Sequence, residues 1–174
     1  MNKYKRIVII GYRAVGKSTV GKMLAGQLDW TYLSTDEMVE QWAQKSIADI
    51  VKESGWKKFR DIEHDVIRSA SELTEVIFDC GGGVVEDDSN MNYFRSESLI
   101  IWIDAEMNDI LNRISGDRIV RPLLTQNDLE SDTEKNYKVR KPLYQKYGDL
   151  CFSSSKTSPE EICLLIQKEL AHGN

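Results

Sequence analysis

The sequence is poor in the residues that build disulfide frameworks, metal clusters and membrane spans. Its 174 residues include only three cysteines, three prolines and two histidines. Cys80, Cys151 and Cys163 are odd in number and lack metal-ligand spacing, so we expect reduced thiols in a reducing compartment. Only four apolar residues separate the short basic start from Gly11, too few for a signal peptide or a membrane span. A cytoplasmic location is therefore predicted.

The chain also lacks any run of basic residues. Its 23 Lys and Arg residues are outnumbered by 28 Asp and Glu residues, which gives a formal net charge of -5. Neither nucleic acid nor a membrane surface is therefore expected as a partner. His64 and His172 are interpreted as a helix-surface residue and a tail residue, not as catalysts. Since no repeat or Pro/Gly-rich linker divides the chain, we predict one domain over residues 1–174. A monomer is expected.

Short apolar runs alternate with amphipathic segments along the whole chain. Five runs are predicted to be strands, at residues 7–10, 31–33, 76–80, 99–103 and 150–152. Several are apolar on both faces, as expected of a parallel sheet covered by helices on each side. The alternation predicts an α/β fold in three layers, with a doubly wound, parallel, five-stranded sheet.

One polar segment has only weak periodicity. It runs from about residue 117 to 135 and is predicted to be a mobile surface lid, whose bounds we set at about 113–128. The tryptophans Trp42, Trp56 and Trp102 are interpreted as core and cavity lining.

The strongest motif directly follows the first predicted strand. Residues 11–18 match the phosphate-loop pattern G-x-x-x-x-G-K-[ST] and open a helical pattern. Glycines let successive backbone N–H groups face phosphate oxygens, and the helix adds its positive N-terminal end. Such a loop uses its lysine on the β- and γ-phosphates and its hydroxyl on Mg²⁺. We expect ATP and Mg²⁺ to be bound, with nucleotide contacts from Gly11, Ala14, Val15, Gly16, Lys17, Ser18 and Thr19. The guanine-specifying pattern Asn-Lys-x-Asp is absent, which argues against a switch GTPase.

Three further patterns predict an acceptor site, with a substrate-binding segment at about residues 34–64. Asp36 follows the second strand and starts a helix. Arg60 and Glu63 lie three positions apart and therefore on one helix face. Residues Gly81, Gly82 and Gly83 follow the third strand, where bare backbone can approach a ligand at the carboxyl edge of the sheet.

These patterns belong to an ordered set of motifs, which is more specific than any one of them alone. The phosphate loop is followed by S-I-A-D-I at 46–50, F-R-x-I-E at 59–63, G-G-G at 81–83, R-P-L-L at 121–124 and R-x-P-L-Y at 140–144. Together with the Thr35-Asp36 pair, the set resembles the shikimate kinase family over nearly the whole chain.

The resemblance implies a role for each matching residue. Asp36 would accept hydrogen bonds from substrate hydroxyls and help to deprotonate one of them. Arg60 and Arg140 would clamp the shikimate carboxylate, while Glu63 and Gly81 to Gly83 would line the acceptor side. The lid would bring Arg121 over the phosphates, opposite Lys17. Arg113 and Pro159 match positions where the family cradles adenine.

The sequence departs from the family pattern at one place. The family usually has an acid two positions before the substrate aspartate, where it helps to organise Mg²⁺, but here that position is Ser34. Asp79 instead ends the third apolar run, where the family more often has a small or hydroxyl residue. An acid at the end of such a strand resembles a Walker B position. We therefore hypothesise that Ser18 and Asp79 serve the metal; the alternative is a structural aspartate bonded to the phosphate loop.

Competing interpretations stay open at this stage. Arg60 could pair with Glu63 or His64 on a solvated helix face, and Arg140 could be a surface charge. The leading function is phosphoryl transfer from ATP to the 3-hydroxyl of shikimate. The alternatives are a related small-metabolite kinase of the gluconate type, or a nucleotide-binding module without turnover.

Overall fold

The computed structural model describes residues 4–116 and 129–172. The elements follow in the order β1 (Arg6–Ile10), α1 (Lys17–Leu28), β2 (Thr31–Ser34), α2 (Thr35–Ala43), α3 (Ile47–Ala70), β3 (Val76–Asp79), a 3-10 turn (Val84–Glu86), α4 (Asp88–Arg95), β4 (Ser98–Asp104), α5 (Met107–Gly116), α6 (Leu129–Tyr147), β5 (Leu150–Ser153) and α7 (Pro159–His172). Helix α3 is broken at Gly55, whose φ of 76° is not helical.

The five strands form one sheet in the order β2-β3-β1-β4-β5, and every neighbouring pair is parallel. The central strands are apolar because both of their faces are covered, and all five residues of β1 are buried. Because crossovers between parallel strands are right-handed, α1 is expected on one face of this sheet and the helices of the later crossovers on the opposite face. Helices α1 and α7 pack against each other.

Serine residues begin three of the helices. Ser34 accepts a hydrogen bond from the backbone N–H of Glu37 at 3.3 Å, and Ser46 accepts one from Asp49 at 3.1 Å. Ser158 does the same for α7, immediately before Pro159. A serine at this position satisfies an N–H group that has no partner inside the helix. In α2 this cap holds the first turn, which contains Asp36, directly after β2.

The predicted fold class and all five predicted strands are confirmed, with boundaries that move by one residue. The predicted weakly periodic segment ends too far along the chain, and the predicted lid begins too early. Residues 129–135 form the beginning of α6, and residues 113–116 are the end of α5. Charged residues occupy most of the first turns of α6, which hides the helical pattern in the sequence. The remaining part of the predicted lid, 117–128, lies outside the described residues, as does Arg121.

The interpretation of the tryptophans is right for two residues and wrong for one. Trp102 is buried in β4, and Trp56 packs edge-on against Phe59 and lines the cavity described below. Trp42 is 62% exposed because it lies in the last turn of α2, beyond the residues of that helix that are buried. In the parts of the chain that the structure describes, none of the helices combines the length and apolarity that a bilayer span requires.

Candidate active site

A cavity of about 850 Å³ opens at the carboxyl edge of the sheet. This is the edge at which open α/β sheets bind their ligands. Both sequence-predicted halves of the site line it: Ala14, Gly16, Lys17, Ser18, Thr19, Asp36, Arg60, Asp79, Gly81, Gly82, Gly83, Arg113 and Arg140. Gly11, Val15, Glu63 and Pro159 were also predicted as site residues but are not part of this lining.

The phosphate loop connects β1 to α1 and has a strongly constrained backbone. Gly11 has a φ of 146°, and a Cβ added there would lie 2.2 Å from the carbonyl oxygen of Ile103. Only glycine fits such a position, which explains the first glycine of the motif. Lys17 is buried at the start of α1, and its Nζ donates a hydrogen bond to the carbonyl of Tyr12 at 2.9 Å. The ammonium group is thus held over the loop, beside the positive end of the helix.

Asp79 joins the phosphate loop to the sheet. Its Oδ2 accepts hydrogen bonds from the Ser18 hydroxyl at 2.5 Å and from the Tyr32 hydroxyl at 2.7 Å. Burial, together with the neighbouring Asp79 carboxylate, raises the pKa of Tyr32, so this phenol stays a donor. Ser34 is the register partner of Asp79 in the parallel pair of β2 and β3. The acid therefore stands on the strand next to the one where the family pattern would place it.

Asp36 and Glu63 approach each other around Gly81. A Cβ added to Gly81 would lie 2.5 Å from Asp36 Oδ1 and 3.2 Å from Glu63 Oε1. The backbone N–H of Gly81 donates to the Thr35 hydroxyl at 2.9 Å, which ties the glycine segment to the start of α2. Burial raises the pKa of Glu63 to about 7, against the opposing effect of the Arg60 guanidinium. Glu63 Oε1 is buried without a hydrogen-bond partner among the described residues.

Arg60 and Arg140 come together from α3 and α6, although 80 residues separate them in the sequence. Arg60 Nη1 donates to Glu63 Oε2 at 2.6 Å, as the competing sequence interpretation proposed, yet Arg60 also lines the cavity. Arg140 is only 7% exposed, so it is not a surface charge. Burial alone would lower the pKa of Arg140, but its hydrogen bonds with Glu86 raise it.

Arg113 also lines the cavity. Its Nη1 donates to the Ala14 carbonyl at 3.1 Å and to the Ser154 hydroxyl at 3.0 Å. Ser154, which follows β5, lines the cavity, whereas Pro159 begins α7 outside the lining. The adenine-cradling role of Pro159 therefore stays a prediction from the family resemblance.

Sequence reasoning missed several residues that hold the site together. These are Tyr32, which bonds to Asp79; Glu86, which bonds to both cavity arginines; Tyr144, whose hydroxyl donates to the Gly82 carbonyl at 2.5 Å; and Ser154. Tyr144 alone had a signal, because it ends the R-x-P-L-Y pattern. The contacts of the other three join distant parts of the chain, so no local spacing could reveal them.

The parallel sheet, the phosphate loop and the two arginines, Arg60 and Arg140, in the same cavity define a P-loop kinase for a small acceptor. The family model for shikimate kinase matches residues 13–171. The chain belongs to the shikimate kinase family, whose members are ATP-dependent kinases.

Individual relatives are similar to the chain over most of its length. A shikimate kinase from Thermodesulfovibrio yellowstonii is 33% identical over 165 residues, covering 95% of this chain and 94% of the relative. One from Rippkaea orientalis is 35% identical over 156 residues, covering 90% and 82%.

Solved structures show the same architecture. The shikimate kinase from Aquifex aeolicus superimposes with a TM-score of 0.78 at 28% identity and covers 96% of each chain. The enzyme from Acinetobacter baumannii in complex with shikimate gives a TM-score of 0.90 at 22% identity, covering 98% of this chain and 95% of that one. At that identity the second likeness concerns the fold alone.

Proposed function

We propose that this protein transfers the γ-phosphoryl group of ATP to the 3-hydroxyl of shikimate, giving ADP and shikimate 3-phosphate. The observation that carries the proposal is that the phosphate loop and a pair of arginines line one cavity, with Asp36 on the same lining. A cavity with these parts can hold a triphosphate at one end and a carboxylate at the other. The family membership of the chain supports the choice of acceptor.

At the nucleotide end, the loop N–H groups and Lys17 are proposed to bind the phosphates. The ammonium of Lys17 stabilises the negative charge that spreads over the transferred group in the transition state. Its bond to the Tyr12 carbonyl fixes the amine at the cavity in advance, so little reorganisation is needed when ATP binds. Arg113 is proposed to lie near the adenine, and Arg121 to reach the phosphates from the lid.

At the acceptor end, Arg60 and Arg140 are proposed to bind the substrate carboxylate. Planar guanidinium groups suit this task because they can donate two parallel hydrogen bonds to a carboxylate. Asp36 is proposed to accept a hydrogen bond from the attacking hydroxyl and to take its proton as the new P–O bond forms and the bond to the β-phosphate oxygen breaks. Glu63 and Gly81 to Gly83 complete this side.

We propose that Ser18 and Asp79 form the protein side of the Mg²⁺ site. Hydroxyl and carboxylate oxygens are hard ligands, and Mg²⁺ in kinases takes only one or two protein ligands besides phosphate oxygens and water. The described residues contain no cluster of three or more acidic, His or Cys side chains that could hold a metal by themselves, which is consistent with such a sparse site. When bound, the ion neutralises charge that develops on the phosphates.

Measurement of ADP release over a panel of polyol acids tests the proposal. We expect turnover with shikimate, and a loss of about 100-fold or more in kcat for Asp36→Asn, which keeps the shape but not the charge of the side chain. Asp61→Asn, on the exposed side of α3, is a suitable control because the Asp61 side chain is 53% exposed and pairs with Lys57.

Two outcomes would contradict the proposal. Turnover with gluconate and none with shikimate would favour the gluconate-type kinase. ATP binding without turnover on any acceptor would favour a nucleotide-binding module.

A further inference from the structure

Glu86 bonds to both cavity arginines although no motif points to it. We propose that Glu86 is a positioning residue for the acceptor site: it holds the guanidinium groups of Arg60 and Arg140 from behind, so that their remaining N–H donors face one substrate carboxylate. The inference deepens the proposed function, since it rests on the assignment of these two arginines to the substrate carboxylate.

The contacts join one carboxylate to two cations. Glu86 Oε1 accepts from Arg140 Nε at 3.0 Å, and Glu86 Oε2 accepts from Arg140 Nη2 at 3.3 Å. The same Oε2 accepts from Arg60 Nη2 at 3.1 Å. Glu86 therefore occupies the Nε–Nη2 edge of Arg140 and links that guanidinium to the neighbouring one. A guanidinium has five N–H donors, so the adjacent Nη1–Nη2 edge of Arg140 keeps the two parallel donors that a second carboxylate needs.

The position of Glu86 relative to the cavity decides whether Glu86 supports the two arginines or competes with the substrate carboxylate for them. Arg60 and Arg140 both line the cavity, and Glu86 does not. A carboxylate that competed with the substrate would have to lie on the cavity side of the guanidinium groups. Glu86 ends the 3-10 turn outside that lining, and we infer that it can keep its bonds while a substrate binds.

The backbone that carries Glu86 is firmly held. The two residues before it, Val84 and Val85, are fully buried. One step earlier, Gly83 is covered by Arg60, because an added Cβ would lie 1.8 Å from Arg60 Nη2. The Tyr144 hydroxyl fixes the carbonyl of Gly82 to α6, the helix that also carries Arg140. Glu86 thus connects α3 and α6 through a turn that cannot shift easily.

A positioned arginine is a better ligand than a mobile one. Arginine side chains lose much rotamer freedom when they bind a ligand, and this ordering weakens binding unless it has occurred beforehand. Glu63 holds Arg60 at 2.6 Å, whereas the described ion pair of Arg140 is with Glu86. Loss of Glu86 should therefore affect Arg140 most.

Charge and positioning predict opposite effects for the same substitution. Glu86→Gln removes a negative charge beside the acceptor site, so simple Coulomb attraction would make a carboxylate substrate bind more tightly. If Glu86 acts by orienting the arginines, the same substitution weakens binding, because an amide accepts weaker hydrogen bonds and its NH₂ group faces a cation. The sign of the change in binding affinity therefore distinguishes a positioning role from a simple charge effect.

The test compares the wild type with Glu86→Gln and Glu86→Asp by steady-state kinetics and by calorimetric titration with shikimate. We expect Glu86→Gln to raise KM and Kd for shikimate about tenfold, as for one lost charge-assisted hydrogen bond, with kcat and the KM for ATP changed less than about threefold. Glu86→Asp keeps the charge on a shorter side chain. Its KM and Kd for shikimate should lie between those of the wild type and those of Glu86→Gln. Asp65→Asn is the matched control, because it removes an exposed aspartate that pairs with Arg68 on α3.

Unchanged or lower KM and Kd in Glu86→Gln would overturn the inference. A general loss of structure would raise the KM for ATP and lower the midpoint of thermal unfolding as well. In that event Glu86→Gln is compared in an Arg140→Lys background: a positioning role requires a smaller effect on shikimate Kd there, and an equal effect would also overturn it. Wild-type binding of shikimate without turnover would contradict the proposed function alone. No binding of shikimate at all would contradict both.

Discussion

Glu63 shows how burial changes the chemistry of a single side chain. It is fully buried on α3, beside the Arg60 guanidinium, and its pKa is raised to about 7 because burial disfavours the charged form. The neighbouring Asp36 carboxylate acts in the same direction, and Arg60 opposes it. A carboxyl group that titrates near neutrality at the acceptor side links the charge of this site to pH.

This shift predicts a pH-dependent stability. The unfolded carboxyl ionises near its ordinary value of 4.5, while the folded one keeps its proton until about 7. Between these values the folded state binds more protons than the unfolded state, so stability falls as pH rises and the loss is complete above 7. The free energy of unfolding of the wild type relative to Glu63→Gln should therefore decrease by up to about 3 kcal/mol from pH 4.5 to 8. Urea unfolding of both proteins across this range measures the difference.

A difference between the two proteins that is constant with pH would contradict the raised pKa of Glu63. An increase toward high pH would contradict its direction. Because both proteins share every other titrating group, the comparison cancels their contributions.

At the scale of elements, the pairing of β2 with β3 explains how this chain can carry an acid on β3 where the family pattern has one on β2. Ser34 and Asp79 are register partners at the carboxyl ends of these strands. A carboxylate on either strand would therefore reach the same region beside the phosphate loop. Ser34 also caps α2, a task that aspartate performs as well. This local equivalence makes the exchange of the two residues a feasible experiment.

We predict that the double variant Ser34→Asp, Asp79→Ser keeps much of the activity and its dependence on Mg²⁺. Asp79→Ser alone should lower kcat/KM by about 10-fold to 100-fold and raise the Mg²⁺ concentration needed for half-maximal rate, because the site loses the acid that ends β3 beside Ser18. Ser34→Asp alone should lower stability by about 1 kcal/mol, since it places two like charges on directly paired strand residues.

Titration of the rate with Mg²⁺, together with binding of Mn²⁺ followed by electron paramagnetic resonance in the presence of ADP, provides the measurement. If Asp79→Ser leaves both the Mg²⁺ dependence and Mn²⁺ binding unchanged, Asp79 serves only to hold Ser18 and Tyr32. If Asp79→Ser weakens metal binding but the double variant does not restore it, the inference that either strand can carry the acid is wrong.

For the whole molecule, two groups of buried side chains bear on whether the chain is one domain. The larger surrounds the sheet, and the smaller, with Val39, Ile50, Phe59 and Val66, lies between α2 and α3. Met38 packs against both groups. The proposed acceptor residues Asp36, Arg60 and Glu63 are on the same two helices, so the proposed acceptor side depends on the smaller group.

The shared packing predicts one cooperative unfolding unit. Circular dichroism and tryptophan fluorescence should give the same urea midpoint, because Trp56 packs against the smaller group and Trp102 belongs to the larger one. Fluorescence of Trp56→Phe and Trp102→Phe variants assigns the signal to each group. An earlier transition seen only through Trp56 would show that α2 and α3 unfold separately and would contradict the single domain.

Local patterns in the sequence were sufficient for the sheet and the phosphate loop. Strands β1, β3 and β4 contain continuous apolar runs because both faces are buried, and residues 11–18 form a tight loop in which Gly11 and Gly16 have positive φ angles. The start of α6 escaped prediction because its first turns are polar and carry little periodicity. Helix formation there depends on tertiary packing of its later residues, such as Tyr144, against the rest of the chain.

The sequence by itself determined the α/β fold and the phosphate-loop motif and predicted the acceptor-side residues, because each is encoded in neighbouring positions or in an ordered set of motifs. Only the tertiary structure decided which charges meet. Glu86 lies 26 residues from Arg60 and 54 from Arg140, and Asp79 lies 61 from Ser18. Ionic and hydrogen-bonding contacts depend on distances of a few ångströms, and for residues so far apart those distances are set by the crossing of strands and helices.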